Sequence, residues 1–333
     1  MDNTPEENVN ADGGRSGSDR ADSDRSPGDS LRYLLTLSRP RFWLYLAGPV
    51  AVGVVYAADS TADLLAPAAI GLFAYFLFPA NVLLYGVNDA YDAEIDARNP
   101  KKANGDAAGV VADATEPGSG APEPSEAAKE ARWRGDPLAA VAVAASGLLG
   151  LATFALAPPL AWPYLAGFFL LGVEYSAPPL RFKTTPLLDS LSNGLYILPG
   201  AAAYATVAGA HPPALALAGA WLWTMAMHTF SAVPDIEPDR AAGITTTATA
   251  LGKARTYAYC LVCWTGAAAA FAALDVRFLF AFGVYPLFLS WVATSDVAVE
   301  RAYWWFPLVN GVVGAGITMG GLWLLVPVTE VVG

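Results

Sequence analysis

Charge is scarce in this chain of 333 residues: Asp, Glu, Lys and Arg together make up 15%, against 55% hydrophobic residues. A water-exposed globule would need far more polar surface, so lipid is the implied solvent. Thiols and imidazoles are scarcer still, with two Cys and two His. Cys260 and Cys263 form a C-x-x-C, but they sit inside an apolar block and no second Cys pair accompanies them. No zinc or redox centre is expected there, and the thiols read as small packing residues. The first 30 residues lack the apolar stretch of a secretory signal and have almost nothing to bury, which predicts a disordered acidic tail over 1–30. A second polar, Ala/Gly/Pro/Glu-rich stretch at about 103–132 predicts a flexible insert in the unit formed by 31–333. These two segments carry much of the net charge of −11. That balance fits a salt-rich cytoplasm, with ordinary acidic tails as the alternative.

The apolar residues fall into nine blocks, at 40–58, 64–87, 137–156, 160–177, 187–208, 213–233, 256–273, 278–293 and 304–327. Most approach the roughly 20 residues that a helix needs to cross the hydrocarbon layer. The expected fold class is therefore all-α, a polytopic bundle of about nine transmembrane helices in the cell membrane. Placing the N-terminus in the cytoplasm puts every Lys and Arg except Arg277 on the cytoplasmic side, the asymmetry that loops of inserted proteins show. In the last block Gly316 and Gly320 form a G-x-x-x-G, read as a close helix contact.

Carboxylates near a bilayer are costly and mark function. One group is Asn88-Asp89-Ala90-Tyr91-Asp92-Ala93-Glu94-Ile95-Asp96, directly after the second block. On a continuous helix Asn88, Asp92 and Asp96 share a face, with Asp89 one step aside. Such a face repels itself without a cation, and hard oxygen ligands favour Mg2+, which leaves positions open for phosphate oxygens. The second group is Asp235-Ile236-Glu237-Pro238-Asp239-Arg240, after the sixth block. The topology puts both on the cytoplasmic side, where they can face one another and hold more than one cation. A solvated helix end explains either group alone, but two at equivalent depth point to a site for a metal-chelated diphosphate.

Between the fourth and fifth blocks, Tyr175-Ser176-Ala177-Pro178-Pro179-Leu180-Arg181-Phe182-Lys183 is stiffened by two prolines. Arg181 and Lys183 can grip phosphate oxygens or anchor the topology, and Arg39 and Arg41 at the first block carry the same two readings. Asn81 precedes Asn88 by seven residues and His228 precedes Asp235 by seven, about two helical turns. Continuous helices would place both deeper on their motif's face, as walls of an acceptor pocket or as interhelical hydrogen bonds.

The run from Asn88 to Asp96, the following Asn99-Pro100-Lys101, the Tyr175 to Lys183 loop and the Asp235/Asp239 pair resemble the UbiA superfamily of intramembrane prenyltransferases. The resemblance runs from about residue 35 to the C-terminus. It implies nine helices around a central cavity that opens to lipid. It further implies Asn88, Asp92, Asp96, Asp235 and Asp239 binding two Mg2+, Asp89 acting with them, and a prenyl diphosphate held by Tyr175, Arg181, Lys183 and Arg39. The family commonly has Gly where this chain has Pro238, which predicts a break in helical geometry at Glu237. The segments 39–44, 228–239 and 301–307 resemble, more narrowly, the haloarchaeal lycopene elongases. That similarity implies dimethylallyl transfer to lycopene with hydration, with membrane lipid as the surroundings and no nucleic acid among the partners. Acceptors such as a quinone precursor or a glyceryl ether lipid share the same motifs. A cation-coupled transporter would also carry buried acids, but at the midplane and in repeated halves.

Overall fold

Prolines set many of the starting points of the helices. The computed structural model describes residues 27–96 and 137–326, without the side chains of 27 and 92–96, and the described residues contain helices and turns but no strand. The longer elements are α1 (Pro27–Leu37), α2 (Trp43–Ala57), α3 (Pro67–Leu77), α4 (Pro79–Asp96), α5 (Pro137–Leu156), α6 (Trp162–Glu174) and α7 (Leu198–Ala208). They continue as α8 (Ala214–Ser231), α9 (Ile236–Ala241), α10 (Thr247–Leu251), α11 (Lys253–Leu274), α12 (Val284–Thr294) and α13 (Val299–Leu325). Proline begins α1, α3, α4 and α5, where its missing N–H would have found no partner anyway.

Four helical stretches among the described residues, Thr61–Tyr91, Pro137–Leu156, Lys253–Leu274 and Val299–Leu325, are long and apolar enough to cross a bilayer, and Phe278–Thr294 is a shorter apolar one. The other blocks are helical but short or interrupted. The block at 187–208, for example, divides into a single turn at Leu188–Leu191, a 3-10 stretch at Ser192–Tyr196 and α7. The block at 64–87 bends at Phe78, because Pro79 cannot extend the hydrogen-bond ladder of α3. Asn81 repairs the bend: its buried Nδ2 donates to the Phe76 and Leu77 carbonyls, each at 3.1 Å. The tail 1–26 and the insert at about 103–132 lie outside the described residues, but α1 begins inside the stretch expected to be disordered. Its apolar side explains this, with Tyr33 and Leu37 buried against Val82 and Ala139.

Two larger cores hold the bundle, beside the small cluster under α1. The first joins α2, α3, α4, α6 and α7 around Leu46, Leu72, Phe76 and Phe168. The second joins α8, α11, α12 and α13, where Trp264 stacks on both Tyr285 and Phe306 at 5.6 Å. Cys260 and Cys263 are free, buried members of this second core, as packing residues should be. Leu148, Leu151, Leu287 and Phe280 point outward, and at 83% exposure Phe280 has hydrocarbon as its natural neighbour. Helices α2 and α7 approach so closely that a Cβ on Gly53 would stand 2.2 Å from the Gly200 carbonyl oxygen, and one on Gly200 2.5 Å from that of Pro49. The G-x-x-x-G of α13 makes no such contact: a Cβ on Gly316 would meet nothing within 4 Å. The close approach belongs to Gly321 instead, 2.4 Å from the Val55 side chain, because that face of α13 turns toward α2.

Candidate active site

The motif-bearing segments converge at one end of the bundle. Helix α4 continues through Asp96, as a shared face for Asn88, Asp92 and Asp96 requires. The side chains of Asp92 and Asp96, and all of Asn99-Pro100-Lys101, lie outside the described residues. Asn88 Oδ1 accepts a hydrogen bond from Ser176 Oγ at 2.6 Å, which leaves its second lone pair for another partner. Asp89 Oδ1 accepts from Arg39 Nη2 at 2.7 Å, and the same guanidinium lies 4.6 Å from the centre of the Tyr85 ring.

Arg39 and Arg181 are built alike. Each precedes a 3-10 turn, Pro40–Phe42 and Phe182–Thr184, and each adopts left-handed backbone, with φ of 49° and 42°. For a residue with a Cβ this costs about 1–2 kcal/mol, and such strain concentrates at functional sites. The result is that both side chains point at the end of α4. Arg181 Nη2 donates to the Tyr91 carbonyl at 2.8 Å, while its Nε is buried without a partner among the described residues. A buried guanidinium donor without an acceptor suits a phosphate oxygen. Lys183 joins them from the same turn, and its backbone N–H donates to the Tyr175 carbonyl at 3.1 Å. Burial pushes the Lys183 ammonium down to about 8, partly offset by the Asp89 carboxylate nearby.

The second motif departs from expectation. Glu237 is helical despite Pro238, because the proline falls in the first turn of α9, where a missing N–H breaks no bond. The break lies earlier: α8 stops at Ser231, and Val233–Asp235 forms a 3-10 turn. His228 and Asp235 therefore do not share one continuous helix, whereas Asn81 and Asn88 both lie in α4. Asp235 is exposed at the close of the turn and Asp239 half-buried in α9. Tyr175 stands between the motifs, within electrostatic reach of Asp239 and with its hydroxyl 3.4 Å from His228 Nε2.

Two residues escaped the reading of the sequence. Ser176 lies inside a motif already singled out, but its bond to Asn88 spans 88 residues of chain. Asp189 is a carboxylate inside an apolar block, which was itself a signal. It is 1% exposed and accepts from the Thr247 N–H at 2.8 Å and, through a short contact, from the Thr247 hydroxyl. Thr247 Oγ1 in turn accepts from Leu187 N at 2.7 Å, and Thr245 Oγ1 donates to the Thr184 carbonyl at 3.1 Å. This clamp ties the chain after α9 to the chain after Lys183, and so relates the two motifs.

Among the described residues no three His, Cys, Asp or Glu side chains form a cage for a metal. The oxygen donors Asn88, Asp89, Asp235 and Asp239, without nearby thiol, nevertheless match the chemistry of a hard divalent cation.

Residues 136–306 match the UbiA prenyltransferase family. The lycopene elongase/hydratase of Haloferax volcanii is 59% identical over 93% of this chain and 95% of its own length. The chain belongs to the UbiA prenyltransferase family. The lycopene elongase/hydratase of Halobacterium salinarum is 55% identical over 88% of this chain and 98% of its own. A UbiA homolog from Archaeoglobus fulgidus bound to DMAPP and Mg2+ shares the fold, with a TM-score of 0.62, 20% identity, and coverage of 88% and 98% of the two chains. This UbiA protein is thus an all-helical, multi-pass membrane prenyltransferase, and the transporter reading falls away.

Proposed function

We propose that this UbiA protein transfers dimethylallyl groups from their diphosphate to lycopene and hydrates the product. The observation that carries this reading is the agreement between the site, built around two acidic motifs and bracketed by Arg39, Arg181 and Lys183, and the elongase/hydratase relatives at 51–59% identity. Mg2+ would be held by Asn88, Asp92, Asp96, Asp235 and Asp239 and, when bound, would neutralise charge on the leaving diphosphate. Arg181 and Lys183 hold the diphosphate, and Arg39 steadies Asp89 beside it. The concentration of Lys and Arg in alternate loops supports a cytoplasmic N-terminus, with the motifs on the same side.

Detergent-solubilised protein given dimethylallyl diphosphate, lycopene and Mg2+ is expected to release diphosphate and extend lycopene by five-carbon units. In the host, deletion of the gene should leave lycopene accumulated. Unchanged pigments would overturn the lycopene assignment and favour a quinone precursor or a glyceryl ether lipid as acceptor.

Lys183 makes the diphosphate grip dependent on pH. Its folded pKa is lowered to about 8, so the ammonium is present below that pH and lost as pH rises through it. The KM for the prenyl diphosphate should therefore climb above about pH 8, and Lys183→Arg should remove that climb because a guanidinium stays charged. Replacing both Arg181 and Lys183 by Gln should raise KM about 10- to 100-fold, the worth of one or two charge-assisted hydrogen bonds. A change in membrane orientation with KM intact would instead identify the two cations as anchors.

A further inference from the structure

The chain has two imidazoles, and the fold gives them different surroundings. His211 lies far from the motifs, with Nδ1 2.8 Å from the Tyr164 hydroxyl. His228 lies inside the bundle, one turn before the end of α8, its ring edge-on to Tyr175 at 5.9 Å between centres. The Tyr175 hydroxyl to Nε2 distance of 3.4 Å is long for a hydrogen bond, so that nitrogen is only loosely engaged. The next residues along the chain, Thr229 and Ser190, are joined by a 2.8 Å hydrogen bond from Thr229 Oγ1 to Ser190 Oγ, which brings the buried Asp189 carboxylate within electrostatic reach of His228. Its oxygens accept from the Thr247 N–H and hydroxyl, which holds the carboxylate in one place.

An interior imidazole within electrostatic reach of a buried carboxylate is a base that can receive a proton. We propose that His228 takes the proton released when water captures the elongated cation, with Asp189 stabilising the imidazolium. This rests on the elongase/hydratase reading above. In that reaction the carbon–oxygen bond to diphosphate breaks, and the terminal double bond of the acceptor supplies the electron pair of the new carbon–carbon bond. A tertiary cation remains on the acceptor. A lone pair of water forms the carbon–oxygen bond, and one water proton passes to His228 Nε2. The products are a neutral tertiary alcohol and an imidazolium, which then returns its proton to solvent. Loss of a carbon-bound proton instead of water addition would give the unhydrated alkene, so the two fates compete for one cation.

The test reads that competition. Membranes carrying the wild type or His228→Gln are given dimethylallyl diphosphate, lycopene and Mg2+, and the ratio of hydrated to unhydrated elongated product is measured by mass spectrometry. Because the ratio is taken per elongated molecule, it does not depend on how fast either enzyme turns over. The ratio is expected to fall about a hundredfold or more in His228→Gln, the lower end of what a positioned base contributes. If His228→Gln does not accumulate as folded protein, His228→Asn is read in the same way. An unchanged ratio in a folded His228 variant that still elongates lycopene overturns the inference alone. Wild-type membranes that make no elongated product would overturn the elongase reading on which it rests.

Discussion

Asp239→Ala is expected to lower turnover at saturating Mg2+ by at least about a hundredfold, the scale at which loss of one preorganised charge-stabilising group is felt. The carboxylate is half-buried in the first turn of α9 and lies within electrostatic reach of Tyr175, so it faces the gap between the two motifs. The Asp239 carbonyl accepts from Ile244 N at 2.8 Å, a backbone bond that Ala keeps. The variant should therefore reach the membrane folded. Asp92→Ala, on the opposing helix, should behave in the same way. Diphosphate release measured against folded yield separates catalysis from stability, and near-normal release by either variant would refute a site shared by the two motifs.

Gly53→Leu should abolish folding rather than activity alone. A Cβ at Gly53 would stand 2.2 Å from the Gly200 carbonyl oxygen, a backbone atom that no rotamer change can move aside. The cost should exceed the roughly 1–3 kcal/mol of ordinary overpacking, since α2 and α7 would have to separate along their length. Separation would also pull Tyr45 in α2 away from Tyr196, whose rings stand 6.2 Å apart. Gly316→Leu is the control, because nothing lies within 4 Å of a Cβ there. Monodisperse elution in detergent for Gly316→Leu and its absence for Gly53→Leu is the expected pair of results. Equal behaviour would show that the α2/α7 contact is dispensable.

The two glycine sites also show where reading the chain alone goes astray. Gly316 and Gly320 form a recognised spacing but face open space or a distant hydroxyl, whereas Gly53, Gly200 and Gly321 have no motif and make the close contacts. Spacing reports which residues share a helix face, but not which neighbour that face meets. Pro238 teaches the same lesson: its effect on Glu237 depended on where α9 began, and the 3-10 turn before it moved that start.

What the sequence by itself determined is the solvent, the helical class and the chemistry. Each follows from a penalty that a residue incurs locally: apolar blocks cannot face water, and carboxylates beside lipid persist only where they serve a purpose. Asn88, Asp89, Asp235, Asp239, Arg181 and Lys183 could therefore be singled out as candidates without coordinates. Only the tertiary structure decided their partners. Arg39 meets Asp89 across 50 residues, Thr247 meets Asp189 across 58 and Ser176 meets Asn88 across 88. Each pairing depends on where a loop ends and on a backbone conformation, such as the left-handed turns at Arg39 and Arg181, that no local pattern encodes. Asp189 and His228 acquire a shared role for the same reason: the interior charge of one matters to the other only after the helices have packed.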